Sequence, residues 1–150
     1  RSARPVAIVR LDAGASLPFG PVFDTVLLDA PCSGLGTLRR DPDLKWSRQP
    51  DDLDRLARSE RQLLQQAATA VAPGGALVYA TCSSEPEENE DIVSAFLAAH
   101  PDFAPAPVTF PATVGGGHDL LDDHGRLRTL PFRHDLDAFF AAVLRRRGTP

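Results

Sequence analysis

Two short apolar runs constrain this chain most. Val26-Leu27-Leu28 ends at Asp29 and is followed by Pro31, Cys32, Ser33 and Gly34. Ala76 to Thr81 is introduced by Pro73-Gly74-Gly75 and ends at Cys82, Ser83 and Ser84. Val and Leu in succession, without alternation, read as a strand buried on both faces, as in a parallel sheet. Pro and Gly then stop each strand and let the backbone run close to a ligand. In an open α/β sheet ligands bind beyond the carboxyl ends of the strands, which puts Asp29 and Cys32 at a functional rim. The chain has two cysteines, and each falls just past a predicted strand end. Neighbouring strands would bring them together.

The rest of the chain supplies the helices that such a sheet needs. Pro5 to Leu11 reads as a short strand ending at Asp12, and the central strand as Val22 to Asp29. The basic segment from Thr37 to Pro50 reads as an ordered loop with one helical turn. A helix is predicted from Asp51, where Asp51, Asp52 and Asp54 suit the positive end of its dipole. Leu53, Leu56, Ala57, Leu63, Leu64, Ala67, Ala68 and Val71 form its apolar stripe, and Pro73-Gly74-Gly75 is its predicted stop. Ser83 or Ser84 is the expected cap of the next helix, with Glu87, Glu88, Glu90 and Asp91 near its amino end. Ile92, Val93, Phe96 and Leu97 give that helix a core face, and His100-Pro101 closes it. Residues 101–125 are rich in Pro and Gly and read as loops with at most a brief strand. Arg126–Pro131 and Ala138–Arg145 read as a closing pair of strands. The alternation of strands and helices with a β-rich tail is that of an α/β protein.

Composition narrows the function classes. A chain of 150 residues with 43% hydrophobic and 24% charged residues can bury a real core as one domain. No apolar run approaches the roughly 18 residues of a membrane-spanning helix, and no signal peptide is evident. Free thiols in a cytoplasmic setting are the expectation for two cysteines. The net charge of −4 argues against a surface that is basic overall, so any nucleic-acid binding must use a local patch. There is no methionine, so residue 1 does not read as a natural translation start.

On residue chemistry alone the two cysteines leave four readings open. A metal site lacks ligands, since His100, His118, His124 and His134 have no metal-ligand spacing. A disulfide is disfavoured in the cytoplasm. Inert buried thiols are common. The fourth reading is a nucleophile with a thiol helper and Asp29 as a substrate contact. Cys82, read as standing just before a helix amino terminus, is the better placed to be a thiolate.

The motifs L-L-D-A-P-C-S-G-L-G, R-R-D-P-D-L-K-W and P-G-G-A-L-V-Y-A-T-C-S-x-x-P-E-E-N-E together resemble the Fmu/Sun/Nop2 family of RNA cytosine-carbon-5 methyltransferases, nearest its bacterial small-subunit ribosomal RNA branch. The resemblance covers residues 6–100 well. It continues more weakly to Asp137–Phe140, where D-A-F-F stands for the family's D-G-F-F and Ala138 is expected to tighten the backbone behind the site. It implies a class I, Rossmann-like fold, a mostly parallel sheet with a closing antiparallel tail. It also implies methyl transfer from S-adenosylmethionine to carbon 5 of a cytosine in RNA, ribosomal RNA first and transfer RNA second.

Cys82 would be the nucleophile and Cys32 the helper that releases the enzyme, with Asp29 between cofactor and base. Asp12, Asp29 and Pro31 would contact the cofactor. Arg39, Arg40, Lys45 and Arg48, with Trp46 among them, would face RNA. No metal and no membrane are implied.

By the same resemblance, residues 1–150 are the later part of a catalytic domain. The glycine-rich cofactor loop and an amino-terminal RNA-binding domain would lie upstream of residue 1. Two strands that would separate Val6–Leu11 from Val22–Asp29 would lie outside the chain. Val26–Leu28 then becomes an exposed edge, and these residues alone should self-associate or leave residues 1–20 displaced, and bind cofactor poorly. The rival expectation is a noncatalytic RNA-binding or assembly fragment of the same fold.

Overall fold

The computed structural model describes residues 6–111 and 117–148. Pro5 of the expected first strand and part of the predicted loop, residues 112–116, lie outside them. Five strands form one mixed sheet. In chain order the elements are β1 (Phe23–Asp29), α1 (Leu44–Ser47), α2 (Pro50–Thr69), β2 (Val71–Thr81), α3 (Glu90–Ala99), β3 (Phe103–Ala106), β4 (Leu127–Arg128), α4 (Pro131–His134) and β5 (Phe140–Arg146). Single 3-10 turns occupy Leu35–Thr37, Pro86–Glu88 and Gly117–Leu120. The sheet order is β1-β2-β5-β3, with β4 sharing the outer edge of β5. β1 and β2 run parallel, and the other pairs are antiparallel.

The helices form where the sequence places them, with shifted ends. α2 begins at Pro50, one residue before the expected Asp51, because Gln49 and Asp52 make a reciprocal capping box. Such a cap stabilises a helix by about 1 kcal/mol. α2 ends at Thr69, before the expected Pro73-Gly74-Gly75 stop, and Val71 already belongs to β2. Pro73, Gly74 and Gly75 instead lie where the β1–β2 register jumps, from Phe23 opposite Val71 to Thr25 opposite Ala76. The extra residues are a bulge in the longer strand.

α3 begins at Glu90 rather than directly after Ser83-Ser84, because the Pro86–Glu88 turn intervenes. Neither serine caps it. The helix-dipole argument for Cys82 therefore does not hold, since that effect fades within the first turn.

One face of the sheet carries the core. Leu77, Tyr79 and Thr81 of β2, and Phe140, Ala142 and Leu144 of β5, are buried at alternate positions, against Leu64 of α2 and Ile92 and Phe96 of α3. Each fully buried Leu or Ile contributes roughly 1.5–3 kcal/mol. β1 was expected to be buried on both faces, and it is not. Val26 and Leu28 pack toward the core, whereas Leu27 is 66% exposed, because no described helix covers that side.

The expected strand at Val6–Leu11 does not form. Residues 6–12 are irregular and exposed, and the outer edge of β1 has no partner among the described residues. A strand without a neighbour has no ladder to hold it. The closing pair does form, Leu127 opposite Ala141 and Arg128 opposite Phe140, with α4 between them.

Gly36 ties the sheet to its loops. Its N–H donates to the Cys82 carbonyl (3.0 Å), and its carbonyl accepts from the Ala138 N–H (2.9 Å). A Cβ at Gly36 would lie 2.1 Å from the Ala138 oxygen and 2.7 Å from the Cys82 oxygen. The contact is made by the Ala138 main chain, which any residue there would present. Gly36→Ala should therefore lower unfolding stability by about 3 kcal/mol. Gly20→Ala, with nothing within 4 Å, should change it by less than about 0.5 kcal/mol. Urea denaturation of both variants measures the contrast.

Candidate active site

The parallel ladder sets Asp29 opposite Ala80 at the ends of β1 and β2. Cys32 and Cys82 follow these ends, and their sulfurs lie 3.3 Å apart as free thiols. The Cys82 N–H also donates to the Cys32 sulfur (3.3 Å). Burial, then the hydrogen bond with Cys82, pushes the Cys32 thiol up to about 12. Cys32 therefore keeps its proton at neutral pH. Among the described residues no group of His, Cys, Asp and Glu gathers as for a metal ion.

Beneath the sulfurs lies a polar layer that sequence reasoning missed. Ser33 and Ser83, each following a cysteine, meet at 3.3 Å between their hydroxyls. Glu88, expected near the amino end of a helix, is fully buried. Its oxygens accept the Ser33 N–H (2.7 Å) and the Ser33 hydroxyl (2.6 Å). Its carbonyl accepts the Tyr79 phenol (2.6 Å). Asn89 donates to the Ser83 carbonyl (3.0 Å) and accepts from the Thr81 hydroxyl.

Glu60, at the centre of the buried stripe of α2, is fully buried with no hydrogen-bond partner for either oxygen. A signal for it was present: Glu60 stands four residues from both Leu56 and Leu64, on the face that faces the core. Desolvation, and then the nearby Glu88 charge, pushes its carboxyl up to about 8.

The other expected site residues divide. Asp29 and Pro31 are exposed at the rim of β1. Asp12 does not end a strand; it lies in an exposed turn, where its carboxylate accepts the Gly14 N–H (2.9 Å), and Gln62 of α2 holds the Gly14 carbonyl (2.7 Å). Arg39 and Arg40, expected to face RNA, are solvent-exposed and each is also paired with an acid. Arg39 reaches Asp135 (2.8 Å), and Arg40 reaches the buried Asp137 (2.6 Å). The Asp137 oxygens lack a well-directed hydrogen bond, so these ion pairs are what offsets their burial. Arg48 is half-buried and donates to the Ser33 carbonyl (2.8 Å), bracing the cysteine loop. Lys45 and Trp46 remain outward: the ring is 78% exposed, with the ammonium 5.3 Å from its centroid.

Glu60 yields a pH prediction. A carboxyl raised from 4.5 to about 8 makes the folded protein hold more protons than the unfolded chain between those values. Its contribution to stability is full below pH 4.5 and is lost as pH rises through about 8. The lowered Asp52 and Asp122 act below 3.8, and the raised Cys32 and Tyr79 above 9.0, outside this window. Urea midpoints at about pH 5.5 and pH 8.5 should show a drop that is largely absent in Glu60→Gln.

Comparison with known proteins places this geometry. Residues 4–145 match the family described as 16S rRNA methyltransferase RsmB/F. A probable ribosomal RNA small subunit methyltransferase B of Bacillus subtilis is 40% identical over 84% of this chain and 28% of its own length. Ribosomal RNA small subunit methyltransferase B of Thermus thermophilus is 45% identical over 81% of this chain and 29% of its own. The chain thus spans under a third of these curated relatives. The crystal structure of NSun6 from Pyrococcus horikoshii with SFG superposes with a TM-score of 0.73 at 30% identity, covering 94% of this chain and 34% of that one. The fold is the Rossmann-like α/β fold of methyltransferases, of which these residues form a part. With two cysteine loops joined at the ends of parallel strands, the chain belongs to the 16S rRNA methyltransferase RsmB/F family.

Proposed function

We propose that this chain is the cysteine-bearing part of an enzyme that methylates carbon 5 of a cytosine in ribosomal RNA, with S-adenosylmethionine as donor. The observation that carries the reading is the 3.3 Å approach of two free thiols at adjacent parallel strand ends. The family and the relatives' names support ribosomal RNA as the substrate class.

Each thiol has a separate task in this reading. Cys82, as a thiolate that has released its proton to solvent, attacks carbon 6 of the base; the new C–S bond sends an electron pair toward carbon 5, the atom to be substituted. S-adenosylmethionine, when bound, supplies the methyl group. Asp29 and Pro31, exposed at the β1 rim, offer one wall for it; the SFG in the NSun6 structure, an analogue of that cofactor, supports the choice of donor. Asp12, with one oxygen engaged by its own turn, offers the other for a polar contact. Release needs transfer of the carbon-5 proton to solvent water, its bonding pair restoring the ring double bond, and cleavage of the C–S bond with its pair returning to Cys82 as the thiolate. Cys32, which holds its proton beside the Cys82 sulfur, hydrogen-bonds the departing thiolate and makes it a better leaving group. The target base must leave its stack to reach these sulfurs.

RNA contact falls to Lys45 and Trp46, an exposed cation beside an exposed ring that suits a phosphate and an unstacked base. Arg48 serves the fold through the Ser33 carbonyl, while Arg39 and Arg40, exposed beside Asp135 and Asp137, flank that surface and offer further phosphate contacts.

In the intact protein, Cys82→Ala should reduce methylation of ribosomal RNA to background, whereas Cys32→Ala should accumulate a covalent protein–RNA adduct on denaturing gels. A Cys82→Ala enzyme that still forms 5-methylcytosine, read by mass spectrometry of RNA digests, contradicts these roles. Trp46→Ala with Lys45→Ala should weaken RNA binding by about tenfold or more in a filter assay.

A further inference from the structure

We propose that Glu88 is a positioning residue for Cys32, its side chain holding the Pro31–Gly34 loop so that the Cys32 sulfur meets Cys82. One of the two readouts below rests on the covalent reading of the function; the other does not.

Both Glu88 oxygens are spent on a single residue, Ser33, one on its N–H and one on its hydroxyl. The Ser33 N–H belongs to the peptide that joins it to Cys32. Fixing that peptide plane fixes ψ of Cys32, and with it the placement of the thiol loop. The proton order is determined by counting. The Ser33 hydroxyl has one hydrogen and gives it to Glu88, so the 3.3 Å contact with Ser83 is made by the Ser83 hydrogen. Ser83 in turn accepts the Glu85 N–H (3.1 Å). The neighbouring Asn89 holds the other loop through the Ser83 carbonyl and the Thr81 hydroxyl.

Adjacent residues of one turn thus each hold one cysteine loop, and the two serines meet as the two sulfurs do. A carboxylate is a costly way to fill a fully buried position, and an apolar side chain of similar size would pack there more cheaply. What an apolar side chain cannot do is accept both Ser33 donors.

Glu88→Gln keeps the volume but turns one acceptor into a donor, so the amide oxygen can take the Ser33 N–H or the Ser33 hydroxyl but not both, and the pair of bonds that orients the loop is broken. The first readout is oxidation of the intact protein by oxidised glutathione. Cys32 and Cys82 give up two protons and two electrons to form a disulfide, and one oxidised glutathione becomes two reduced molecules. Mass spectrometry of the cross-linked peptide should show this bond forming at least about tenfold more slowly in folded Glu88→Gln than in the unmodified protein.

The second readout is turnover with RNA and cofactor, in which Glu88→Gln should accumulate the same adduct as Cys32→Ala. A merely structural Glu88 would lower the melting temperature and leave the disulfide rate of the folded protein unchanged, which overturns the proposal. Should Glu88→Gln fail to fold, Ser33→Ala decides by the same oxidation: slowing supports the proposal, and an unchanged rate overturns it. Slowed oxidation with no adduct in any variant, Cys32→Ala included, leaves Glu88 as the positioning residue and removes the covalent mechanism instead.

Discussion

Everything at the site depends on the parallel pairing of β1 with β2. In a parallel pair both strands finish at the same edge of the sheet, so chain segments that follow them emerge side by side. From Thr25 opposite Ala76 to Asp29 opposite Ala80 the ladder is regular, and the irregularity is confined to its far end, at Pro73–Gly75. The bulge absorbs a mismatch in strand length where no chemistry occurs. At the other end Ala30 donates to the Ala80 carbonyl (2.9 Å), and the loops then turn toward each other rather than apart. Gly36 makes that turn possible, because only a residue without a side chain fits between the carbonyls of Cys82 and Ala138.

The second theme is the burial of acid. Glu60, Glu88 and Asp137 are all buried, and the fold treats each differently. Glu88 is satisfied by Ser33, Asp137 is balanced by the partly exposed Arg39 and Arg40, and Glu60 escapes its penalty by holding a proton. The polar layer therefore gives the loops rigid anchors at a moderate electrostatic cost.

The basic loop shows how charge and function can part company. Four cations lie between Arg39 and Arg48, and three of them hold structure: Arg39 and Arg40 bind the Asp135–Asp137 turn, and Arg48 braces Ser33. A chain with a net charge of −4 has acids to spare, and basic side chains near them are drawn into ion pairs. Lys45 stands outward beside the open face of Trp46, and the paired Arg39 and Arg40 still expose about half or more of their side chains.

The local pattern of the sequence determined much of this protein. The two strands before the cysteines, the amphipathic helices and the antiparallel closing pair are written in periodicity and in Pro and Gly, because main-chain preferences act over a few residues. So is the meeting of Cys32 and Cys82, which needs only two strand ends and their parallel order. Tertiary structure decided the rest. Val6–Leu11 has the composition of a strand yet forms none, since a strand exists only with a neighbour to bond. Leu27 is apolar yet exposed, because burial of a second face depends on what covers it. Glu60 is marked by its place on the apolar stripe of α2, but Glu88 is indistinguishable in sequence from the acids beside it, and the packing of α2 against the Pro86–Glu88 turn buries both. A charged residue's meaning depends on its distance from water, and that distance is a property of the whole fold.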